Sequence, residues 1–285
     1  MPDPTFLVIG AQKCGTTWLE QMISQHPRVC TAATKEVHFF NLRANYEKGL
    51  LWYRRQFGDC EDAQAVGEFT PNYLWNSPPE HDVRDQGVIP HVAPLVREAY
   101  PDVRLIVSLR DPVERAISSY HHQIHMRRVR PGQSILEVAH RHGIVSLGFY
   151  RDQIAEWLEF FDRSQFLFLV YEEDIVREPA GTVARVFDFI GVDSDFLPSG
   201  IDQRRGERRS DLYRRIHFVS PALAKGVSRV VPAVRSIDWP PISVTDAERA
   251  ELRRAFVGVN DGLDDLVGRE ISWLRHYLGE SKPVA

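Results

Sequence analysis

The sequence predicts an α/β protein in which helices flank a central, mostly parallel β-sheet in three layers. Three apolar runs rich in β-forming residues, at 6–9, 103–109 and 166–171, are typical of buried strands. Helical patterns follow these runs, and strands that alternate with helices favour a parallel sheet. We therefore expect a single domain over residues 1–285.

The composition is that of an ordinary globular protein. The 285 residues are 43% hydrophobic and 26% charged, and the formal net charge is −4. This charge argues against general nucleic-acid binding and against a polybasic patch for membranes. No apolar run approaches the ~20 residues of a membrane span, and the first strand begins too early to leave room for a signal peptide. We expect a soluble, cytoplasmic protein, and the oligomeric state stays open.

The cysteines and histidines bear on location and on metal binding. Cys14, Cys30 and Cys60 are an odd number without the spacing of metal ligands, which suits a reducing compartment. His121 and His125 have the i, i+4 spacing of a metal pair, but no glutamate follows the first histidine and the sequence suggests no third ligand. We therefore expect no metal site.

The remaining elements follow from periodicity and from turn residues. The segment 29–40 is interpreted as a strand that runs into a loop, and 65–69 as a short strand. Segments rich in proline, at 76–90 and 226–244, are expected to be irregular. Helices are predicted at 45–57, 91–100, 113–126, 149–162, 179–190, 245–267 and 272–278.

The turn after the first strand has the properties of an anion-binding cradle. Gly10 and Gly15 enclose it, and a helical pattern begins directly afterwards. Glycines let the backbone approach a ligand closely, and the free N–H groups of the first helical turn attract anions. A triphosphatase loop of the G-x-x-x-x-G-K-[ST] type has its lysine after the second glycine. Here Lys13 lies inside the loop and Thr16 takes that position. A phosphate-like ligand is indicated, with an ordinary βα turn as the alternative.

Polar residues follow two of the other predicted strands. Glu68 ends one strand, and open α/β sheets bind ligands beside the carboxyl ends of their strands. A helix cap or a surface acid is the alternative for this residue. Arg110 follows another strand, and Ser118 lies two turns into the next helix, so both are able to face one crevice. The alternative for Arg110 is a local ion pair with Asp111 or Glu114.

Two distant segments together resemble the nucleotide-binding signatures of sulfotransferases. These segments are IGAQKCGTTWL at 9–19 and VSLRDPVERAISSYHH at 107–122. KEVHFFN at 35–41 and GEFTPNYLW at 67–75 are most similar to the heparan-sulfate and bacterial carbohydrate-type branch of that family. The resemblance implies a P-loop-like form of the α/β fold. It also implies 3′-phosphoadenosine 5′-phosphosulfate (PAPS) as the sulfuryl donor, without a metal ion.

The resemblance further implies roles for individual residues. Lys13 and the backbone of the first turn are expected to contact the 5′-phosphosulfate, and Arg110 with Ser118 to bind the 3′-phosphate. Glu68 matches the carboxylate that acts as base, and His38 is the reserve for the base or for an acceptor contact. The full set expected to bind the donor is Lys13, Cys14, Gly15, Thr16, Thr17, Trp18, Arg110 and Ser118.

The predicted function is the transfer of a sulfuryl group from PAPS to a hydroxyl or an amine of a carbohydrate or small-molecule acceptor. A lysine stabilises the charge that develops on the departing phosphate, and a base removes the proton of the acceptor. A P-loop kinase or NTPase, and a non-catalytic nucleotide-binding module, are the alternatives. The acceptor is not identified, because Phe69 replaces the lysine that the branch often has after its glutamate. The basic segment 203–215 is either a solvated surface or a clamp beside the nucleotide.

Overall fold

Five parallel strands form one sheet in the order β2-β3-β1-β4-β5 within residues 2–76, 87–201, 219–220 and 243–280, which are the residues that the computed structural model describes. Because β1 pairs with both β3 and β4, the loop after β1 lies at the middle of the carboxyl edge of the sheet. The strands are β1 (Phe6–Gly10), β2 (Val29–Thr31), β3 (Ala65–Phe69), β4 (Arg104–Leu109) and β5 (Phe166–Val170).

Helices cover both faces of this sheet, so the predicted three-layer α/β architecture is confirmed. A π-helical turn, Tyr171–Arg177, follows β5 directly. In the part of the chain that the structure describes, no helix combines the length and the apolar composition needed to cross a bilayer. The extent of the domain over residues 1–285 stays a prediction. The helices are α1 (Thr16–Ile23), α2 (Arg43–Tyr46), α3 (Gly49–Arg54), α4 (Val92–Ala99), α5 (Pro112–His125), α6 (Tyr150–Phe160), α7 (Pro179–Ile190), α8 (Asp246–Val257), α9 (Leu263–Val267) and α10 (Ser272–Glu280).

The central strand β1 divides the core into two clusters. Phe6 and Val8 pack on one face of the sheet, against α1 and α7. Leu7 and Ile9 pack on the opposite face, against α4, α5, α6 and α8. Every residue of β1 is buried, which explains why its sequence is a continuous apolar run instead of an alternating pattern.

Element boundaries differ from the predictions where glycines interrupt a helix. The predicted helix at 45–57 is divided at Gly49, and the predicted helix at 245–267 is divided near Gly262, each with a φ of 77°. A residue in this left-handed region ends a right-handed helix. The segment 29–40 is a strand that runs into a loop, as predicted, and the strand consists of its first three residues, which pair with β3.

Two of the cysteines are paired. Cys30 of β2 and Cys60, in the segment before β3, form a disulfide with their Cα atoms 5.8 Å apart. The remaining cysteine, Cys14, is free and buried. This pairing removes the basis for expecting a reducing compartment, and the cytoplasmic location stays a prediction.

Candidate active site

The loop between β1 and α1 forms the floor of the site. Gly15, the residue before α1, has a φ of 88°, a conformation that glycine adopts without strain. A Cβ atom at this position would lie 2.9 Å from side-chain atoms of Ile175 and Tyr171, so glycine also lets the π-helical turn approach the loop. The first N–H groups of a helix have no partner within the helix. The amino end of α1 therefore presents donors and a positive dipole end to an anion.

A cavity of about 730 Å³ lies against this loop. All of the residues that the sequence predicts to bind the donor line this cavity, except Cys14. Other parts of the chain line its remaining sides. These are Glu36, Arg110 after β4, Ser118 and His122 of α5, and the π-helical turn with the start of α7. The first turn and the segment around α5 are thus brought together as the sequence predicts.

Cys14 belongs to the core beneath the loop. Its side chain is fully buried, with Sγ 3.7 Å from the hydroxyl group of Tyr150. Burial raises the pKa of its thiol to about 11. Ser108 of β4 donates a hydrogen bond of 2.6 Å to the carbonyl oxygen of Cys14. This residue therefore anchors the loop to the sheet through its backbone.

Lys13 lies inside the loop, as the sequence shows, and its side chain lines the cavity. Its φ of 70° is in the left-handed region. Burial lowers the pKa of its ammonium group, and the positive charge of Arg110 lowers it further, while the charge of Glu36 acts in the opposite direction. Two cations held close together beside the amino end of a helix favour the binding of an anion.

Arg110 and Ser118 line the same cavity as Lys13. Arg110 follows β4, and its Nη1 donates a hydrogen bond of 3.4 Å to the carbonyl oxygen of Lys13. Its guanidinium group lies over the ring of Tyr171, 4.8 Å from the ring centroid. Ser118 lies on α5, which begins directly after the strand that positions Arg110. Arg110 and Ser118 therefore face one crevice, as the sequence predicts.

The nearby acids considered as partners of Arg110 have other roles. Asp111 caps α5 by accepting hydrogen bonds from two N–H groups of its first turn. Glu114 forms an ion pair with Arg249. A different carboxylate faces the guanidinium group, since Oε1 of Glu172 lies 3.7 Å from Nε of Arg110.

Glu68 is not among the residues that line the cavity, and its role as base stays a prediction. Glu68 is 1% exposed. Its Oε1 accepts hydrogen bonds of 2.7 and 2.6 Å from Tyr53 and Tyr73, and its Oε2 accepts one of 2.8 Å from Thr70. Burial raises the pKa of this carboxyl group in spite of the three donors. In this structure, the hydroxyl groups of three side chains enclose the carboxylate of Glu68 and hold it in the core.

A carboxylate that does line the cavity is Glu36, in the loop between β2 and α2. Its Oε2 lies 3.3 Å from Nε2 of His38, and the side-chain oxygen of Asn41 lies 3.1 Å from Nδ1 of the same ring. Burial opposes the charged form of each group, but their mutual interaction outweighs it. The pKa of Glu36 is lowered, with a further contribution from Lys35, and the pKa of His38 is raised. Glu36 is therefore ionised at neutral pH beside the cavity.

His122 and Tyr171 also line the cavity, and neither is among the site residues predicted from the sequence. Burial and the positive charge of Lys13 lower the pKa of His122 to about 4, so its ring is neutral at pH 7. His122 lies four residues after Ser118 on α5, and this spacing places two side chains on one helix face. Tyr171 begins a π-helical turn, for which the sequence pattern gives no signal.

Two other expectations concern the surroundings of the site. The basic segment 203–215 lies outside the described residues, as does most of 226–244. Among the described side chains, no group of three or more histidines, cysteines, aspartates or glutamates is arranged to hold a metal ion.

Comparison with known proteins identifies the family of the chain. A family model, the sulfotransferase domain, matches residues 3–205. This range is more than half of the chain and contains every residue that lines the cavity. The chain belongs to the sulfotransferase family. The resemblance seen in the sequence signatures is thereby confirmed.

Individual relatives of this sulfotransferase match part of their own length. Heparan sulfate glucosamine 3-O-sulfotransferase 6 from Homo sapiens is 36% identical over 199 residues, which are 66% of this chain and 52% of that protein. Membrane-associated sulfotransferase kil1 from Dictyostelium discoideum is 36% identical over 124 residues, 42% of this chain and 23% of that protein. The sulfotransferase chain thus spans about half the length of the heparan sulfate relatives it matches.

A solved structure supports the fold of this sulfotransferase. The crystal structure of a sulfotransferase from Alicyclobacillus acidocaldarius matches it with a TM-score of 0.70 at 24% sequence identity. The match covers 96% of this chain and 100% of that one. The predicted P-loop-like α/β fold is confirmed.

Proposed function

We propose that this sulfotransferase moves a sulfuryl group from PAPS to a hydroxyl or an amine of a carbohydrate or small-molecule acceptor. The observation that carries the proposal is the position of Lys13, Arg110 and Ser118 on one cavity, after β1 and β4. Open α/β sheets bind ligands at this edge. PAPS supplies the sulfuryl group and has two separate anionic groups, a 5′-phosphosulfate and a 3′-phosphate. The cavity offers a separate cation for each of them.

The residues of the cavity suit these two anionic groups and the adenine. Lys13 and the amino end of α1 bind the 5′ end, and the ammonium group stabilises charge on the departing phosphate. Nε of Arg110 is buried without a hydrogen-bond partner among the described residues, so this donor is available to a 3′-phosphate oxygen. Ser118 adds a hydroxyl group. Trp18 and Tyr171 present aromatic surfaces to the same cavity, which suits a purine base.

We assign the role of base to Glu36 instead of Glu68. A base must come within hydrogen-bond reach of the proton that it removes, and Glu36 lines the cavity. Its charge acts on Lys13 and on His122, so the carboxylate lies close to the loop that holds the sulfuryl donor. His38 orients the carboxylate through their 3.3 Å contact.

The names of the relatives support a carbohydrate as acceptor, because several are heparan sulfate glucosamine 3-O-sulfotransferases. The alignment with the first of them covers 66% of this chain, so small-molecule acceptors remain part of the proposal. Phe69 is 2% exposed and packs against Phe6 with ring centroids 6.0 Å apart. Its side chain therefore supplies no acceptor contact in place of the lysine of the related branch.

The proposal is tested by incubating the purified protein with PAPS and two sets of acceptors, heparan sulfate oligosaccharides and an extract of small metabolites. Release of 3′-phosphoadenosine 5′-phosphate (PAP) and formation of sulfated products are followed by mass spectrometry, with Lys13→Ala as the control. We expect a sulfated product that the control does not form. Stabilisation by ATP but not by PAP in a thermal-shift measurement would instead support a kinase or NTPase. Binding of PAP without transfer to any acceptor would support a non-catalytic module.

A further inference from the structure

The guanidinium group assigned to the 3′-phosphate already faces a carboxylate of its own chain. Oε1 of Glu172 lies 3.7 Å from Nε of Arg110. The same oxygen accepts a hydrogen bond of 3.3 Å from the backbone N–H of Asp111. Glu172 is the second residue of the π-helical turn after β5, and β5 is the neighbour of β4 in the sheet. The two charged groups are therefore held side by side by the ends of adjacent strands.

This contact leaves both partners incompletely satisfied. Nε of Arg110 and Oε2 of Glu172 are buried, and neither has a hydrogen-bond partner among the described residues. Burial raises the pKa of the Glu172 carboxyl group, although the positive charge of Arg110 acts in the opposite direction. Buried polar groups normally have partners. A ligand that binds either of these two groups more strongly can therefore replace the existing contact between them.

A phosphate group is a stronger partner for arginine than this carboxylate. The planar guanidinium group binds two phosphate oxygens at once, whereas the contact to Glu172 is a single approach at 3.7 Å. A dianionic phosphate placed on Arg110 would also lie close to the negative charge of Glu172, and like charges at short range repel. The carboxylate and the phosphate thus compete for one cation.

We propose that Glu172 is a positioning residue that weakens the binding of nucleotides with a 3′-phosphate by competing for Arg110. The inference rests on the proposed function, in which Arg110 binds that group. PAP has the same 3′-phosphate as PAPS, so a contact that holds the donor also retains the product. The competing carboxylate limits this retention and speeds the departure of PAP. Affinity differences between related complexes arise mostly in the dissociation rate.

The test is the replacement Glu172→Gln, which keeps the shape of the side chain and an acceptor for the N–H of Asp111. Removal of the competing charge should strengthen PAP binding about two- to fivefold, the scale of one partly exposed ion pair. The dissociation rate of PAP, measured by stopped-flow displacement, should fall by a similar factor. The affinity for AMP, which lacks the 3′-phosphate, should change by less than about twofold. A residue that only supports the fold would weaken PAP binding when replaced, so the sign of the change is decisive.

Glu114→Gln is the matched control, because it removes one negative charge near the start of α5 from an acid that pairs with Arg249. This control should leave the affinity for PAP unchanged. Equal strengthening of PAP binding in both variants, or equal strengthening of PAP and AMP binding, would show that the change in net charge alone explains the effect. Either result would overturn the inference. Unchanged or weaker PAP binding by Glu172→Gln, in a protein whose wild type prefers PAP to AMP, would overturn the inference alone. A wild type without that preference would overturn the proposed function as well.

Discussion

Replacing Glu36 by glutamine should remove most of the transfer activity, whereas the same replacement of Glu68 should mainly reduce stability. The two residues have the same side chain. Glu68 lies near the carboxyl end of β3, and Glu36 lies in the loop between β2 and α2. They differ in surroundings, because Glu36 lines the cavity and Glu68 is enclosed in the core. Comparing the two variants therefore shows which glutamate acts in the reaction and which one stabilises the fold.

The structure sets the size of the expected loss at Glu68. Its two oxygens accept three hydrogen bonds from hydroxyl groups. Glutamine has one acceptor oxygen and no charge, so at least one of these bonds is lost or weakened. The expected decrease in the free energy of unfolding is about 1–3 kcal/mol, the range for weakening a buried hydrogen bond to a charged group. This corresponds to a decrease of roughly 2–6 °C in melting temperature for a protein of this size.

The expected loss at Glu36 is kinetic. Removal of a general base lowers kcat by about 10²–10⁴-fold. The side chain of Glu36 is 38% exposed in its pair with His38, and an ion pair of this exposure contributes at most about 1 kcal/mol to stability. The melting temperature of Glu36→Gln should therefore stay close to that of the wild type.

The measurement is kcat for the acceptor found in the transfer screen, together with PAP affinity and the melting temperature of each variant. Activity is measured well below the melting temperature of Glu68→Gln, so that unfolding does not imitate a catalytic loss. The reasoning would be refuted if Glu36→Gln kept near-normal turnover while folded Glu68→Gln lost it. That result would restore Glu68 as the base.

Three further predictions concern the loop, the pH dependence and the disulfide. Lys13→Ala should lower kcat by about 10²–10³-fold and PAP affinity much less, because backbone N–H groups still hold the 5′-phosphate; near-normal turnover would exclude a leaving-group role. Burial lowers the pKa of His38, but the hydrogen bond and the charge of Glu36 outweigh it and raise this pKa above its usual 6.5. The pair therefore stabilises the fold below pH 6.5 and loses this effect as the pH rises through the raised pKa. His38→Gln should therefore lower the melting temperature in calorimetry more at about pH 6 than at about pH 9, and equal decreases would contradict the assignment. Replacing Cys30 and Cys60 by serine should lower the free energy of unfolding in urea by about 2–4 kcal/mol, and an unchanged midpoint relative to the oxidised wild type would show that the disulfide does not stabilise the fold.

The sequence predicted the parts of the site whose positions depend on local structure. A strand, a glycine-bounded turn and a helix place Lys13 within one continuous segment, so that their geometry follows from short-range rules. The position of Arg110 and Ser118 follows in the same way from a strand and the helix that succeeds it. Because the carboxyl ends of neighbouring parallel strands lie together, the two segments could be brought to one crevice without knowledge of side-chain contacts.

The enclosure of Glu68 could not be predicted from the sequence, because it depends on side chains contributed by other segments, and the role of Glu68 as base stays a prediction. The side chain of Glu68 is enclosed by Tyr53 from α3 and by Tyr73 after β3, and neither contact is visible in the local pattern. Glu36 lies in a loop where it has a φ of 59°, a conformation that no hydrophobic periodicity indicates. The π-helical turn that brings Tyr171 and Glu172 to the cavity has no sequence pattern of its own either.

The central claim is that the cavity recognises a nucleotide with a 3′-phosphate through Arg110, and a calorimetric titration of wild type and Arg110→Ala with PAP and AMP tests it most directly. The wild type should bind PAP more tightly than AMP. Loss of a charge-assisted partner should cost about 1.5–3 kcal/mol, or one to two powers of ten in PAP affinity, so that PAP binding falls toward that of AMP. AMP binding should stay nearly unchanged, which shows that the rest of the cavity is intact. Equal losses for the two ligands, or a wild type that does not distinguish them, would contradict the account.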